Sequence, residues 1–346
     1  MKKTMLLYLI LVTIIGNAQK SPFNGLEIKN DSTGNYSFFV SGHFHGSGAN
    51  RTGYPTNTLL ANLDQLNNSE SEFLVCLGDL FLDVSNDIPF FEASLFSQLK
   101  IPLFNTVGNH DLTKDIYQKK YGETNFSFRI GKDLHLFFDT ETDNGSFNSD
   151  QLNTLKTCVA QINKGQVKKV FIYCHRTIWV KHYSSLNGLF SDNTQSVLGN
   201  NFSSEVHPLL QEIAELTPVY WFSGSLGDAP ASFFYHEDND ITYIATAIRG
   251  LKRDAWLKVS VKEEELPSFK TISLTGQTMF NLKDYDVEFW NSNSSEEPFN
   301  YRLLYYLFKR MIFHHFFWIG VITALSFVFL IRRWLVKRKL RNALAE

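Results

Sequence analysis

The sequence predicts an α/β fold: two packed mixed β-sheets flanked by helices, a four-layer αββα sandwich, followed by one C-terminal transmembrane helix. Three observations lead to it. Strand-like apolar runs alternate with helical segments in the first half of the chain, strand follows strand in the second half, and Met311 to Ile331 is a charge-free apolar run of 21 residues. With 346 residues, 44% of them hydrophobic and 20% charged, the chain can bury a full core.

At the N-terminus Lys2 and Lys3 precede an apolar stretch, Met5 to Ile15, and then Gly16-Asn17-Ala18. Small residues at both positions read by a signal peptidase predict a signal peptide over 1–18 and a mature start at Gln19. A membrane anchor there is the alternative, but the stretch rises only about 16 Å as a helix, short of a bilayer core. Apolar runs predict strands over 36–41, 73–77, 102–106, 134–138, 170–174, 219–223, 232–235, 241–247, 257–261 and 269–274. Between them, Leu59, Leu63 and Leu66 mark a helix over 57–66, and Val206, Leu209, Leu210 and Ile213 mark another over 205–216. A third follows Asn148, where Gln151 three residues on has the spacing of a capping box. The globular domain is placed at 19–289, and a linker and juxtamembrane segment at 290–310, where "NSNSSEEPFN" is a largely polar stretch.

The run 311–331 is long enough to span a membrane. Arg332, Arg333, Lys337, Arg338, Lys339 and Arg341 follow it with only Glu346 opposing, so the tail, 332–346, is expected in the cytoplasm. Tyr301, Tyr305, Tyr306 and Trp334 suit interfacial belts, and His314 and His315 sit at headgroup depth. The total charge is −2; setting aside the two leader lysines and the tail's net +5 leaves −9 for the exported part. An acidic domain repels polyanions, so nucleic acid is excluded as an expected partner. The three cysteines form no disulfide framework, and Cys76 and Cys174 lie in apolar strand runs as small core residues.

In α/β sheets ligands bind beyond the C-terminal ends of the strands. The first predicted strand runs into Gly42-His43-Phe44-His45-Gly46, the second into Gly78-Asp79, the third into Gly108-Asn109-His110-Asp111, the fifth into His175-Arg176 and the sixth into Gly224-Ser225-Leu226-Gly227-Asp228. Imidazoles, carboxylates and an amide oxygen arriving from several loops are the donor set of a Mn, Zn or Fe site. His135, His182, His207 and His236 lie in strand, polar or helical contexts and are expected to be structural or exposed. No Walker, G-x-S-x-G or G-x-G-x-x-G pattern offers a rival centre.

With "LGD" followed at the right distance by "GNHD" at Gly108 to Asp111, the chain resembles the calcineurin-like metallophosphoesterase superfamily over about residues 36–250. Two weaker echoes agree: Asp139-Thr140 at a strand end, and the late hairpin "YHEDNDITYIATAIRG". The resemblance implies that Asp79 bridges two metals, with His43 in place of the family's first Asp and Ser225 and Gly227 in place of two histidines. One metal would keep His43, His45 and Asp79. The other would keep Asp79, Asn109 and His175, with Ser225 or water filling the gap, so one divalent ion is expected rather than two. Asp111 and Asp228 are candidate outer partners.

By the same resemblance His110 and Asp79 are the catalytic residues, His110 giving a proton to the leaving oxygen, with Asp83 either orienting it or solvated. Arg176 either binds phosphate oxygens, as Ser225 would, or forms a surface salt bridge. The expected function is membrane-anchored, metal-dependent hydrolysis of a phosphomonoester or phosphodiester outside the cytoplasm, on a phosphorylated small molecule or lipid headgroup. The alternative is an inactive module that keeps the fold for binding or assembly in the cell envelope.

Overall fold

The computed structural model describes residues 19–29, 34–196, 199–227, 229–293, 312–313 and 315–343. The expected signal peptide, Asp228, Tyr301, Tyr305, Tyr306, Met311 and His314 lie outside them. The chain divides into two units, Met1–Ser294 and Ser295–Glu346.

The first unit holds eleven named strands among the described residues: β1 (Tyr36–Ser41), β2 (Phe73–Cys76), β3 (Leu103–Asn105), β4 (Phe126–Ile130), β5 (Asp133–Phe137), β6 (Lys169–Cys174), β7 (Val219–Ser223), β8 (Phe233–Asp238), β9 (Ile241–Thr246), β10 (Ala255–Val261) and β11 (Ser268–Ser273). They form a five-stranded sheet in the order β11-β10-β1-β2-β3 and a six-stranded sheet in the order β4-β5-β6-β7-β9-β8. β1, β2 and β3 are mutually parallel, as are β5, β6, β7 and β9, while the outer strands run antiparallel; both sheets are therefore mixed.

Side chains alternate along each strand, which sorts the core into three layers. From β1, Phe38 and Val40 point between the sheets and Phe39 points out; from β6, Phe171 and Tyr173 point in and Val170 and Ile172 point out. The inter-sheet layer is aromatic. Phe38 stacks on Phe73 at 4.7 Å and meets Phe171 of the other sheet edge-on at 5.6 Å, a favoured ring geometry. Helices α1 (Asn57–Leu60), α2 (Leu63–Asn67), α3 (Val84–Phe91) and α4 (Ile116–Tyr121) cover the five-stranded sheet with Leu59, Leu66, Val84 and Phe91. Helices α5 (Ser149–Asn163), α6 (His207–Ala214) and α7 (Val287–Asn293) cover the other sheet with Leu155, Val159, Leu210, Ile213 and Trp290. The expected αββα sandwich is thus the observed one, and the capping box is present: Asn148 accepts from Gln151 N, and the Gln151 side chain accepts from Asn148 N.

Several local expectations need correction. The single helix over 57–66 is two short ones, because Asn62 turns its amide to the Thr58 and Leu274 carbonyls. The helix over 205–216 is a wide turn, Phe202–Val206, followed by α6. β4 is not among the expected strands; it pairs at the sheet edge, with Phe126 opposite Phe137. Trp290, expected at the start of the linker, is instead part of the globular unit: it is buried, stacks on Phe190 at 4.8 Å and donates to the Phe233 carbonyl. All three cysteines are buried and unpaired.

In the second unit α8 (His315–Ala343) is exposed on nearly every described side chain, and His315–Arg338 is long and apolar enough to cross a membrane. The helix does not end at Ile331 as expected. It continues through Arg332 to Arg341, because long unbranched basic residues are good helix formers.

Across the inter-sheet core runs one polar network. Tyr36 Oη lies 3.0 Å from His135 Nε2 and donates to Asp133 at 3.1 Å, while His135 Nδ1 lies 3.0 Å from Tyr173 Oη. His135 is therefore the core histidine the sequence suggests, and burial pushes its pKa down to about 3. The unfolded chain takes up this proton below about pH 6.5, whereas the folded chain resists until about pH 3. Stability should therefore fall as pH drops through that window, by up to about 1.4 kcal/mol per unit from this group. Denaturant titrations of wild type and His135→Gln from pH 7 to 4 should show a shallower decline in the variant; parallel curves would refute this.

Candidate metal centre

The site begins where two sheets abut. β1 and β2 are parallel neighbours, so the loops after Ser41 and Cys76 emerge side by side, and His43 N donates to Gly78 O at 3.0 Å. Among the contacts that tie the other sheet to them, two meet at the Leu77 carbonyl. His175 Nδ1 donates to the Leu77 carbonyl at 2.8 Å, and Gly224 packs so closely that a Cβ there would lie 1.9 Å from the same oxygen. The backbone N–H groups of Gly224 and Ser225 in turn donate to His175 O. No residue but glycine fits at position 224.

Asp79 sits at the centre. Its Oδ2 is 3.5 Å from His43 Nδ1, 3.7 Å from His45 Nε2 and 3.6 Å from His175 Nε2, while His110 N donates to Oδ1 at 3.1 Å. The imidazole distances are too long for hydrogen bonds. They match the spacing of ligands around one ion, since two donors about 2.1 Å from a tetrahedral metal lie about 3.4 Å apart. His43, His45 and Asp79 are 8%, 2% and 2% exposed, and their ligand atoms lie within 4.8 Å of one another. Both ring nitrogens of His43 and both of His45 are buried without a hydrogen-bond partner, an arrangement costly unless something binds them. His43 and Asp79 also hold left-handed backbones, φ 57° and 52°, of the kind concentrated at functional sites. This group could hold a metal.

Electrostatics favour that use. Burial pushes the His43 imidazole well below its usual pKa; Asp79 pulls the other way, and His175, His45 and Arg249 add to the downward push. The ring is neutral at pH 7, the form with a lone pair to give. Burial alone would raise the Asp79 carboxyl, but the imidazoles of His175, His43 and His45 hold it well below the usual carboxylate range. His175 gives its Nδ1 proton to Leu77, which leaves Nε2 as the acceptor facing Asp79.

The remaining expected residues separate into cavity and scaffold. His43, His45, Asp79, Asn109, His110, Arg176 and Ser225 line a cavity of about 410 Å³, and His175 stands behind Asp79. Asn109 is on its exposed side. His110 Nδ1 bonds to the Leu82 carbonyl at 3.0 Å, so the backbone orients it; Asp83 instead caps α3, accepting from Ser85 N. Arg176 is committed to Glu141, with Nε 2.8 Å from both carboxylate oxygens, and to Gln195 O. The ion pair is therefore the realised alternative, and it is largely buried rather than at the surface. Asp111 braces the loops: its carboxylate accepts from the backbones of Gly108, Phe81 and Leu80. Burial, with Asp79 adding, pushes its pKa up to about 6 against those donors.

Three further residues matter that the motifs do not mark. Arg249, at the end of the late hairpin, lines the cavity and donates to Gly227 O at 2.9 Å. Glu141 anchors Arg176, and the buried Asp254 braces the Arg249 turn. The hairpin sequence "IATAIRG" carries the only signal for Arg249, a cation just past a strand end. His182, His207 and His236 gather elsewhere, around Tyr183 and Asp238.

No family model and no curated protein matches the sequence. Among solved structures the chain is similar to the purple acid phosphatase PPD1 of yellow lupin (Lupinus luteus) seeds, at 11% identity and a TM-score of 0.51, over 74% of this chain and 54% of that one. It is also similar to GAP50, the anchor in the inner membrane complex of Plasmodium, at 14% identity and a TM-score of 0.48, over 76% of this chain and 95% of that one. A third likeness is to a Vps29 variant from Entamoeba histolytica, at 8% identity and a TM-score of 0.31, over 68% of this chain and 98% of that one. The likeness to the lupin phosphatase, over about half its length, is one of fold.

Two outcomes follow. Asp79→Asn and His45→Ala should each weaken Mn or Zn binding by more than about a hundredfold, beyond what losing an outer hydrogen-bond partner costs; calorimetry showing unchanged affinity would reject the cluster as the ion's seat. Gly224→Ala should lose about 3 kcal/mol or more in denaturant melts, because backbone oxygen lies in the way.

Proposed function

We propose that this protein is a membrane-anchored, metal-dependent phosphoesterase whose catalytic domain faces away from the cytoplasm. The carrying observation is the buried Asp79 carboxylate ringed by His43, His45 and His175, with four imidazole nitrogens of His43 and His45 left without partners. His43, His45 and Asp79 would hold one divalent ion; Asp79, Asn109 and His175 offer a poorer second position, with a single shared anion. When bound, such an ion supplies a water of lowered pKa and a counter-charge to the phosphoryl oxygens.

The protein's own groups do the rest. His110, with Nδ1–H fixed on the Leu82 carbonyl, aims Nε2 at the cavity and, when the ring is doubly protonated, gives the Nε2 proton to the leaving oxygen. The Arg176–Glu141 pair stiffens the wall beside His175. Asn109 and Ser225 offer polar contacts to substrate. The substrate is a phosphorylated small molecule or a lipid headgroup. The orientation rests on the basic residues from Arg332 to Arg341 that follow the apolar part of α8, which the positive-inside rule keeps in the cytoplasm.

A second reading, an inactive binding module, is favoured by one feature: Gly227 offers the site no side chain. One experiment separates them. The full chain in detergent, loaded with Mn or Zn, should release phosphate or alcohol from simple mono- or diesters. Asp79→Ala should abolish turnover, and His110→Ala should lower kcat by about 10²–10⁴ with the metal retained. Bound metal without turnover would leave the module as the function.

A further inference from the structure

We infer that His43 sets the metal selectivity of this centre and tips it toward zinc over manganese. This rests on the reading above, of which it needs the metal seat and not the turnover. The first support is construction. His43 N donates to Gly78 O at 3.0 Å and His43 O accepts from Gly46 N at 2.7 Å. His43 and His45 therefore stand two residues apart on one tight turn, fastened to the loop that carries Asp79. Asn50 Nδ2 donates to the His45 carbonyl at 2.8 Å and holds the far side of that turn. The two imidazole rings lie 5.4 Å apart, centre to centre, with Asp79 Oδ2 3.5 Å from His43 Nδ1 and 3.7 Å from His45 Nε2. Backbone bonds thus present these donors together without help from an ion.

The donor types give the preference. Among the described residues the cluster within ligand reach is two imidazoles and one carboxylate. Imidazole nitrogen suits zinc, copper, iron and nickel, whereas manganese, magnesium and calcium draw on carboxylate, carbonyl and water oxygens. His43 is the residue that makes nitrogen outnumber oxygen in this cluster. Both of its ring nitrogens are buried and neither has a hydrogen-bond partner, so the imidazole serves no purpose in the fold. His175 differs, because its Nδ1 is spent on the Leu77 carbonyl at 2.8 Å, where it joins the two sheets. Nor does the backbone at position 43 call for histidine. Its φ of 57° is left-handed, a conformation that Asn and Asp also enter more readily than other residues with a Cβ. The turn would accept an oxygen donor, and it carries a nitrogen one. Zinc outranks manganese at most nitrogen and oxygen sites, so the quantity that carries the inference is how far the ratio depends on residue 43.

The test uses the full chain in detergent, stripped of metal, as wild type, His43→Asp and His43→Asn. Zinc affinity by competition with a chelator, manganese affinity by calorimetry and the number of ions bound by elemental analysis are measured. His43→Asp exchanges a nitrogen for an anionic oxygen, and its preference for zinc over manganese should fall at least about tenfold. His43→Asn, which offers a neutral oxygen, should lose more than about a hundredfold in zinc affinity, beyond the cost of an outer partner, and about tenfold or less in manganese affinity. This second variant guards against a His43→Asp chain that fails to fold with two carboxylates side by side. A zinc-to-manganese ratio left as in wild type by a folded variant of either kind overturns the inference, and leaves the metal seat and the phosphoesterase reading standing. A wild type that binds neither ion overturns both. A ratio that falls as stated in a protein without turnover supports the role of His43 and removes the phosphoesterase reading alone.

Discussion

The contact between the Leu77 carbonyl and the His175 imidazole, reinforced by the close approach of Gly224, is the joint on which the site depends. Leu77 follows β2 in one sheet, and His175 and Gly224 follow β6 and β7 in the other. Other bonds also join strand ends of the two sheets, Ile248 N to Gly42 O and Thr106 Oγ1 to Phe138 O, but this contact is the one that meets the site directly. Here one backbone oxygen receives an imidazole proton from the opposite sheet, which orients His175 and also brings its free nitrogen to Asp79. Packing and ligand geometry are thus set by the same atoms.

Asp79 shows how charge is managed in such a place. A buried carboxylate is expensive unless it is surrounded by groups that favour its ionised form. Three imidazoles and the His110 amide surround it, and the neighbouring carboxylate, Asp111, is satisfied by backbone donors. Two acids with opposite roles therefore sit within one pair of loops. One faces the cavity and the other knits the loops together.

Much of this was legible in the sequence. The strand ends with Gly-Asp and Gly-Asn-His-Asp, the alternation of Phe38, Phe39 and Val40, and the Asn148–Gln151 cap all carry local signals that survive in the fold. What was not legible depends on partners distant in sequence or on backbone atoms. The orienting group of His110 is the Leu82 carbonyl, which every residue possesses. Arg176 meets Glu141, a pairing that no spacing announces, and Asp254 braces the Arg249 turn through backbone N–H groups that every such turn possesses. Trp290 read as the start of a linker because the residues that follow it are polar, although its indole donates to the Phe233 carbonyl of β8. β4 shows the alternation Phe126, Phe128, Ile130 expected of a half-covered strand, but five residues at a sheet edge form a weak pattern.

The left-handed backbones of His43 and Asp79 carry a consequence for how the site responds to change. Each conformation stores about 1–3 kcal/mol in a residue other than glycine. The two loops share the bond from His43 N to Gly78 O, so neither can relax without disturbing the other. They behave as one thermodynamic unit. Energies measured for changes at the two positions will not sum, and whatever releases the tension in one loop releases it in both.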